Sequence, residues 1–202
     1  LKMNYQPQVH GMRITGQYLI TLTTLCMLLT STHAAAIEPP YRGPFVENDD
    51  LLMVLIAHTP EQITAFYEAR GFPKAALDRL RKLCFVTVHI ENKSQRVIWL
   101  ETENWDLAVD GERIQRVNKQ QWTSWWDDIK LPSANRSTFG WTQLPAVRDL
   151  QPDEPVGGNI ILGGEVKQFD LQARFLTGQD KRGGMLDIQF RDIKCPKGEA
   201  NP

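Results

Sequence analysis

Between Cys84 and Glu101 apolar and polar positions alternate on either side of a short polar break. Cys84, Val86, Val88 and Ile90 share one parity, and side chains two apart fall on one face of a strand. Beyond Asn92–Gln95, Ile98 and Leu100 take one parity and Val97 and Trp99 the other, which reads as a strand buried on both sides. The pattern predicts a hairpin that turns at Asn92–Gln95. The cleanest alternation comes later, where Phe169, Leu171, Ala173 and Phe175 interleave with Gln168, Asp170, Gln172 and Arg174. That is the signature of a half-buried antiparallel strand. Met185–Lys194, with Leu186, Ile188 and Phe190 on one side, is the last strand. Trp105–Val109 and Arg113–Val117 flank Asp110-Gly111, a strong hairpin signal. The pairs Gly157-Gly158, Gly163-Gly164 and Gly183-Gly184 read as turns between strands, and Leu131–Pro155 as a long ordered connection.

Helical grammar is confined to the region before Cys84. Thr59-Pro60-Glu61-Gln62 places a capping threonine, a proline at the first helical position and a glutamine at the third. Ile63, Phe66 and Tyr67 follow at helical spacing, and Gly71 supplies the stop. A second helix starts at Pro73, with Leu77, Leu80 and Leu83 or Cys84 on its apolar face. Arg79, Arg81 and Lys82 suit its negative end and read as a solvated face. Leu51–Ala57 is apolar on every side, so a short helix capped by Asn48-Asp49-Asp50 and a buried strand both fit. Gln120–Lys130 reads as a short helix or an irregular loop.

The fold class this predicts is mainly β: an antiparallel sandwich with two short α-helices on its N-terminal side. Residues 1–36 are expected to hold an upstream extension and a cleaved signal peptide, and 37–50 an extended leader. Residues 51–83 are expected as a helical segment packed on the sandwich, and 84–198 as the sandwich domain.

The signal peptide rests on Ile14–Thr32, an apolar, hydroxyl-rich and uncharged stretch preceded by Arg13. It ends in Thr32-His33-Ala34-Ala35-Ala36, with small residues at the −3 and −1 positions of a cleavage site. Cleavage there would remove Lys2 and Arg13 and no acid, taking the formal charge from −1 to −3. With no basic run longer than Arg79-Leu-Arg-Lys82, nothing favours nucleic acid as a partner. A periplasmic or secreted protein without a membrane-spanning segment in its mature chain is expected. Of three cysteines, Cys84 and Cys195 would remain, and a pair in an oxidising compartment predicts a disulfide. It would join strands expected to be antiparallel neighbours, and its loop of about 110 residues would contribute roughly 4–5 kcal/mol. Cys195 has the wrong parity for the face of Leu186, Ile188 and Phe190. A bulge near Arg191-Asp192, or a cysteine already beyond the strand, would restore it.

The alternating strand, Asn92-x-Ser94, the apolar strand with Trp99-Leu100, then Asp106-Leu107 and Asp110-Gly111, together resemble the opening strands of bacterial extracytoplasmic immunoglobulin-like modules. The resemblance covers residues 84–118. It implies an immunoglobulin-like sandwich that binds or scaffolds in the cell envelope, with a protein or glycan partner.

Catalytic and metal-binding signals are sparse. His58 and His89 have no ligand-spaced neighbours, so neither a metal nor a cofactor is expected. There is no Gly-x-Ser-x-Gly element, so no catalytic residue is nominated. The one cluster with functional promise is Trp122, Trp125, Trp126 and Trp141, beside Asp127 and Asp128. Tryptophan on a surface stacks on sugars or anchors a protein partner. The competing reading is that Trp122, Trp125 and Trp126, spaced as one helical face, plug the end of the sandwich. The leading expectation is a non-enzymatic envelope-recognition protein. The second is a carbohydrate-binding or carbohydrate-processing domain, with Asp127, Asp128 or Glu154 as its acids.

Overall fold

The computed structural model describes residues 41–163 and 166–198. The expected signal peptide within 1–36 and the first residues of the 37–50 leader lie outside the described residues. Along the chain come β1 (Phe45–Glu47), β2 (Leu51–His58), α1 (Pro60–Glu68), α2 (Lys74–Leu80) and β3 (Cys84–Asn92). Then follow β4 (Ile98–Glu101), β5 (Asp106–Val109), β6 (Glu112–Ile114), α3 (Lys119–Asp128) and α4 (Ser133–Trp141). The series ends with β7 (Val147–Leu150), β8 (Pro155–Leu162), β9 (Gln168–Thr177) and β10 (Met185–Lys194).

The architecture is mainly β, with two antiparallel sheets and, among the described residues, four α-helices. The four-stranded sheet runs β1-β2-β3-β8. In the six-stranded sheet β9 pairs with β10 along one edge and, along the other, with β5 and then β4. β6 extends β5, and β7 extends β4. The inner faces share one core: Met53, Leu55, Val86, Val88 and Ile90 from one sheet, Leu100, Leu171, Ala173, Phe175 and Ile188 from the other. The outer face of the four-stranded sheet is covered at one end by the helices. There Phe85 and Ile161 meet Ile63, Tyr67, Leu80, Trp126 and Phe139 in a second core.

Three expectations change once the strands are paired. Asn92–Gln95 is not a hairpin, because β3 and β4 belong to different sheets. Asn92 is fully buried and builds a crossing turn instead. Its amide donates to the carbonyls of Arg96 and Leu150 at 2.7 and 2.9 Å. Its Oδ1 accepts from the backbone N–H and hydroxyl of Ser94 at 2.9 and 2.8 Å. Next, Leu51–His58 is strand, so the 51–83 segment is helical only from Pro60. β2 lies between β1 and β3, and Leu51–Leu55 are all buried, so an apolar run without alternation is a strand covered on both faces. Finally, the described residues hold four α-helices rather than two. α1 and α2 lie between β2 and β3; α3 takes the helical of the two readings of Gln120–Lys130, and α4 and β7 occupy the stretch expected as a long connection.

Gly157 and Gly158 lie inside β8 rather than in a turn. Gly183 and Gly184 do sit in the β9–β10 turn, where Gly184 has φ of 106°. α1 is capped as the sequence predicts: Thr59 and Gln62 exchange side-chain and backbone hydrogen bonds. Cys84 and Cys195 form a disulfide with Cα atoms 5.5 Å apart. It joins the two sheets across the core, so the expected pairing of neighbouring strands is corrected: the neighbours of β3 are β2 and β8. The parity problem is resolved by a register shift between Phe190 and Ile193, with Asp192 at φ of 55°. The shift returns Ile193 and Cys195 to the buried side.

Candidate functional site

β8 is an edge strand, and its exposed edge is only partly used. Backbone groups along a strand point alternately to its two sides. Asn159 turns its pair away from β3: its N–H donates to Thr142 O at 2.8 Å, and its carbonyl accepts from Leu144 N–H at 3.0 Å. Ile161 does the same, its carbonyl accepting from Val117 N–H at 2.7 Å. Gly157 has the same parity and faces open space where the chain after Leu144 leaves β8 to form β7 in the other sheet. The divergence opens a groove of about 1010 Å³ between the β8 edge, the 116–120 segment, the end of α4 and residues 143–148.

The four tryptophans are divided by this geometry. Trp126 is fully buried, its ring edge-on to Phe139 at 4.9 Å. Trp125 is half-buried, with the Arg79 guanidinium 5.5 Å from its ring centre. Neither lines the groove, and both serve helix packing. Trp122 packs edge-on to Phe139 at 5.3 Å and shows its other side to the groove. Trp141, on the last residue of α4, is 88% exposed and stands at the groove lip. Asp127 pairs with Arg136, and Asp128 lies 3.8 Å from Arg79; neither acid lines the groove. Glu154 pairs with Arg148 and accepts from the Gln151 N–H; the N–H first and then Arg148 hold its carboxyl below the usual range. The predicted cluster is therefore not one site: Trp122 and Trp141 are brought to the groove, and the other four residues are not.

Arg116 is the residue that sequence reading missed. It precedes Asn118, whose side chain caps α3 by accepting from Gln121 N–H at 2.9 Å. The cap and the Val117–Ile161 bond fix the backbone here and set Arg116 in the groove wall. Its guanidinium is half-buried and donates to the hydroxyl of Thr102. Burial lowers its proton affinity, opposed by the charge of Glu103, yet a guanidinium stays protonated at any ordinary pH. Only its position just before a cap marked it, and a lone arginine there has no recognisable pattern.

Behind the wall a chain of polar side chains holds the floor in place. Thr142 donates to Phe139 O at 2.7 Å, so the Tyr67 hydroxyl, 2.7 Å away, donates to Thr142. Burial keeps the Tyr67 phenol above its ordinary range. The Gln143 amide donates to Phe139 O and to the Thr142 hydroxyl, and the residue lines the groove. On the sheet, Thr87 donates to Asn159 Oδ1 at 2.7 Å and so must accept from His58 Nε2–H, also at 2.7 Å. Among the described residues no three His, Cys, Asp or Glu side chains are grouped to hold a metal, and no helix is long and apolar enough to cross a membrane.

No protein-family model matches the chain, and neither does any curated protein. Two solved structures, both from Bacillus subtilis, are similar at 10% identity. The ycdA protein covers 75% of this chain with a TM-score of 0.41, and this chain spans 39% of its length. The yjhA protein covers 65% of this chain with a TM-score of 0.37, over 77% of its own length. Likeness at this level bears on neither fold type nor function.

Proposed function

We propose that this is an extracytoplasmic, non-enzymatic binding protein that holds another envelope component in the groove beside β8. The observation that carries the reading is Trp141, 88% exposed at the groove lip while Trp126 on the neighbouring helix is fully buried. Exposing so large an apolar ring costs solvation that a bound partner recovers. The Cys84–Cys195 bond fits an oxidising compartment, periplasmic or outside the cell. Two antiparallel sheets over one core, stapled by an inter-sheet disulfide, also support the immunoglobulin-like type of sandwich.

Carbohydrate processing is less well supported than binding. Glycoside hydrolysis commonly needs two carboxyl groups facing one bond. Among the described residues Glu103 is the one carboxylate lining the groove. Glycan binding needs no such pair, and an exposed indole flat enough to stack on a sugar ring favours it as the form recognition takes.

Fluorine NMR on protein containing 5-fluorotryptophan tests the reading. The six tryptophans give six lines, assignable by single Trp→Phe variants. Envelope polysaccharides, peptidoglycan fragments and envelope proteins are then titrated in turn. A ligand that moves the Trp141 and Trp122 lines and leaves Trp126 still is the expected result. If none of the three classes moves Trp141, the groove is not the binding site.

A further inference from the structure

The groove has an uncompensated positive charge in its wall. Arg116, Lys119, Arg136 and Arg148 line it, against Glu103 alone among the acids of the described residues. Arg136 and Arg148 are answered from outside it, by Asp127 and Glu154. Arg116 and Lys119 have no ion pair among the described residues, and the charge of Glu103 reaches Arg116 only from beyond contact. The partner of Arg116 is the neutral Thr102 hydroxyl. A half-buried guanidinium has given up water, and a hydroxyl replaces little of that loss. An oxyanion presented by a ligand would replace more, through the paired N–H fork that matches carboxylate geometry.

The same groove disfavours an extended peptide. Strand addition needs a run of free backbone groups, and the β8 edge is already occupied at Asn159 and Ile161 by Thr142, Leu144 and Val117. Only Gly157 and Pro155 remain, and proline has no N–H to give. What the groove offers instead is an exposed indole, amide side chains such as Gln143, and a cation.

We propose that the groove binds acidic carbohydrate, with a sugar ring stacked on Trp141 and a carboxylate of the same chain paired with Arg116. This rests on the groove being the binding site proposed above, and adds the ligand's chemical class to it.

The test is a fluorescence titration with uronate oligosaccharides (galacturonate, glucuronate and mannuronate), each beside its neutral methyl ester. A peptide ending in a free carboxylate, and its amide, form the second arm. At least one uronate is expected to bind and to lose at least tenfold in affinity on esterification. Arg116→Gln is expected to weaken the acid form about tenfold and leave the ester unchanged. If Arg116→Gln does not fold, Arg116→Lys, which keeps the charge but loses the fork, is expected to weaken the acid form at least threefold. Esters binding as well as acids would overturn the role of the anion and leave the groove reading standing. So would Trp141 responding to envelope material but to no uronate. Arg116-dependent binding of the carboxylate peptide and of no glycan would overturn the carbohydrate. Silence of Trp141 towards every ligand removes both readings together.

Discussion

Gly158 lies so close beneath Leu144 that a β-carbon on it would stand 2.6 Å from the Leu144 Cα. The segment that roofs one end of the groove is therefore seated on a strand residue that has no side chain. Gly158→Ala must push residues 143–144 off β8, breaking the Leu144 N–H bond to Asn159 O. Overpacking of this kind costs about 1–3 kcal/mol, and with a lost hydrogen bond about 3 is expected. Gly157→Ala is the control, because its β-carbon would meet Val88 O at 3.5 Å, an ordinary contact. Urea unfolding should show a clear loss for the first and a change within about 0.5 kcal/mol for the second. Equal losses would mean that the approach of Leu144 is not what requires glycine.

Asn92 makes a second prediction about position rather than chemistry. It is one of few fully buried polar side chains, and all its hydrogen-bonding capacity serves one chain crossing. Asn92→Ala takes the amide from the carbonyls of Leu150 and of Arg96, the latter keeping the Ser94 hydroxyl at 3.0 Å, and a loss of roughly 1–3 kcal/mol is expected. Asn92→Asp keeps the acceptor for Ser94 but loses both donors and faces two carbonyl oxygens with a carboxylate. The acid is expected to be the worse of the two at neutral pH, in thermal melts of the oxidised protein. An aspartate as stable as asparagine would show that the crossing turn is held by its neighbours.

These positions also mark where the sequence was readable. The alternation of β3, β9 and β10 is dictated by one buried face and survives without any knowledge of partners, as do the Thr59 cap and the Asp110-Gly111 turn. The groove was not readable, because it exists only where β8 and the 144–148 segment diverge. Gly157-Gly158 reads as a turn to anyone who cannot see Leu144 above it. Asn92-x-Ser94 has the composition of a hairpin loop, and only its burial reveals a passage between sheets. Trp122 and Trp126 are four apart on α3, one helical turn, yet one faces the groove and the other the core, since the boundary between them is drawn by α4.

The disulfide gives a third expectation. Cys84 and Cys195 are separated by 111 residues, so their bond restricts a long loop of the unfolded chain. Chain-entropy reasoning gives about 4–5 kcal/mol for that length. Replacing both by serine should lower the urea midpoint accordingly while leaving the denaturant slope of unfolding smaller in the oxidised form, whose unfolded state stays more compact. Because the bond ties two layers that already share a core, the reduced protein is expected to remain folded at 25 °C. Loss of near-ultraviolet dichroism on reduction would contradict that.

His58 predicts a pH dependence whose sign follows from its surroundings. It ends β2 with its Nε2–H donated to Thr87, which in turn donates to Asn159 at the back of the groove. Burial lowers its proton affinity from the ordinary value of 6.5. The unfolded chain therefore takes up the proton at a higher pH than the folded protein does. Wherever the unfolded state binds more protons, stability rises with pH. The contribution of His58 is thus complete above about pH 6.5 and declines as pH falls from there towards the folded value. Glu101, held low by Lys181, and Glu154, held low by its backbone bond and Arg148, lose theirs only as pH falls below about 4.5. The interval from pH 6.5 to 5 consequently separates the histidine from these two carboxylates. Urea midpoints should fall across it in the parent protein and stay level in His58→Gln, whose amide can still donate to Thr87. A slope that persists in the variant would place the titrating group elsewhere.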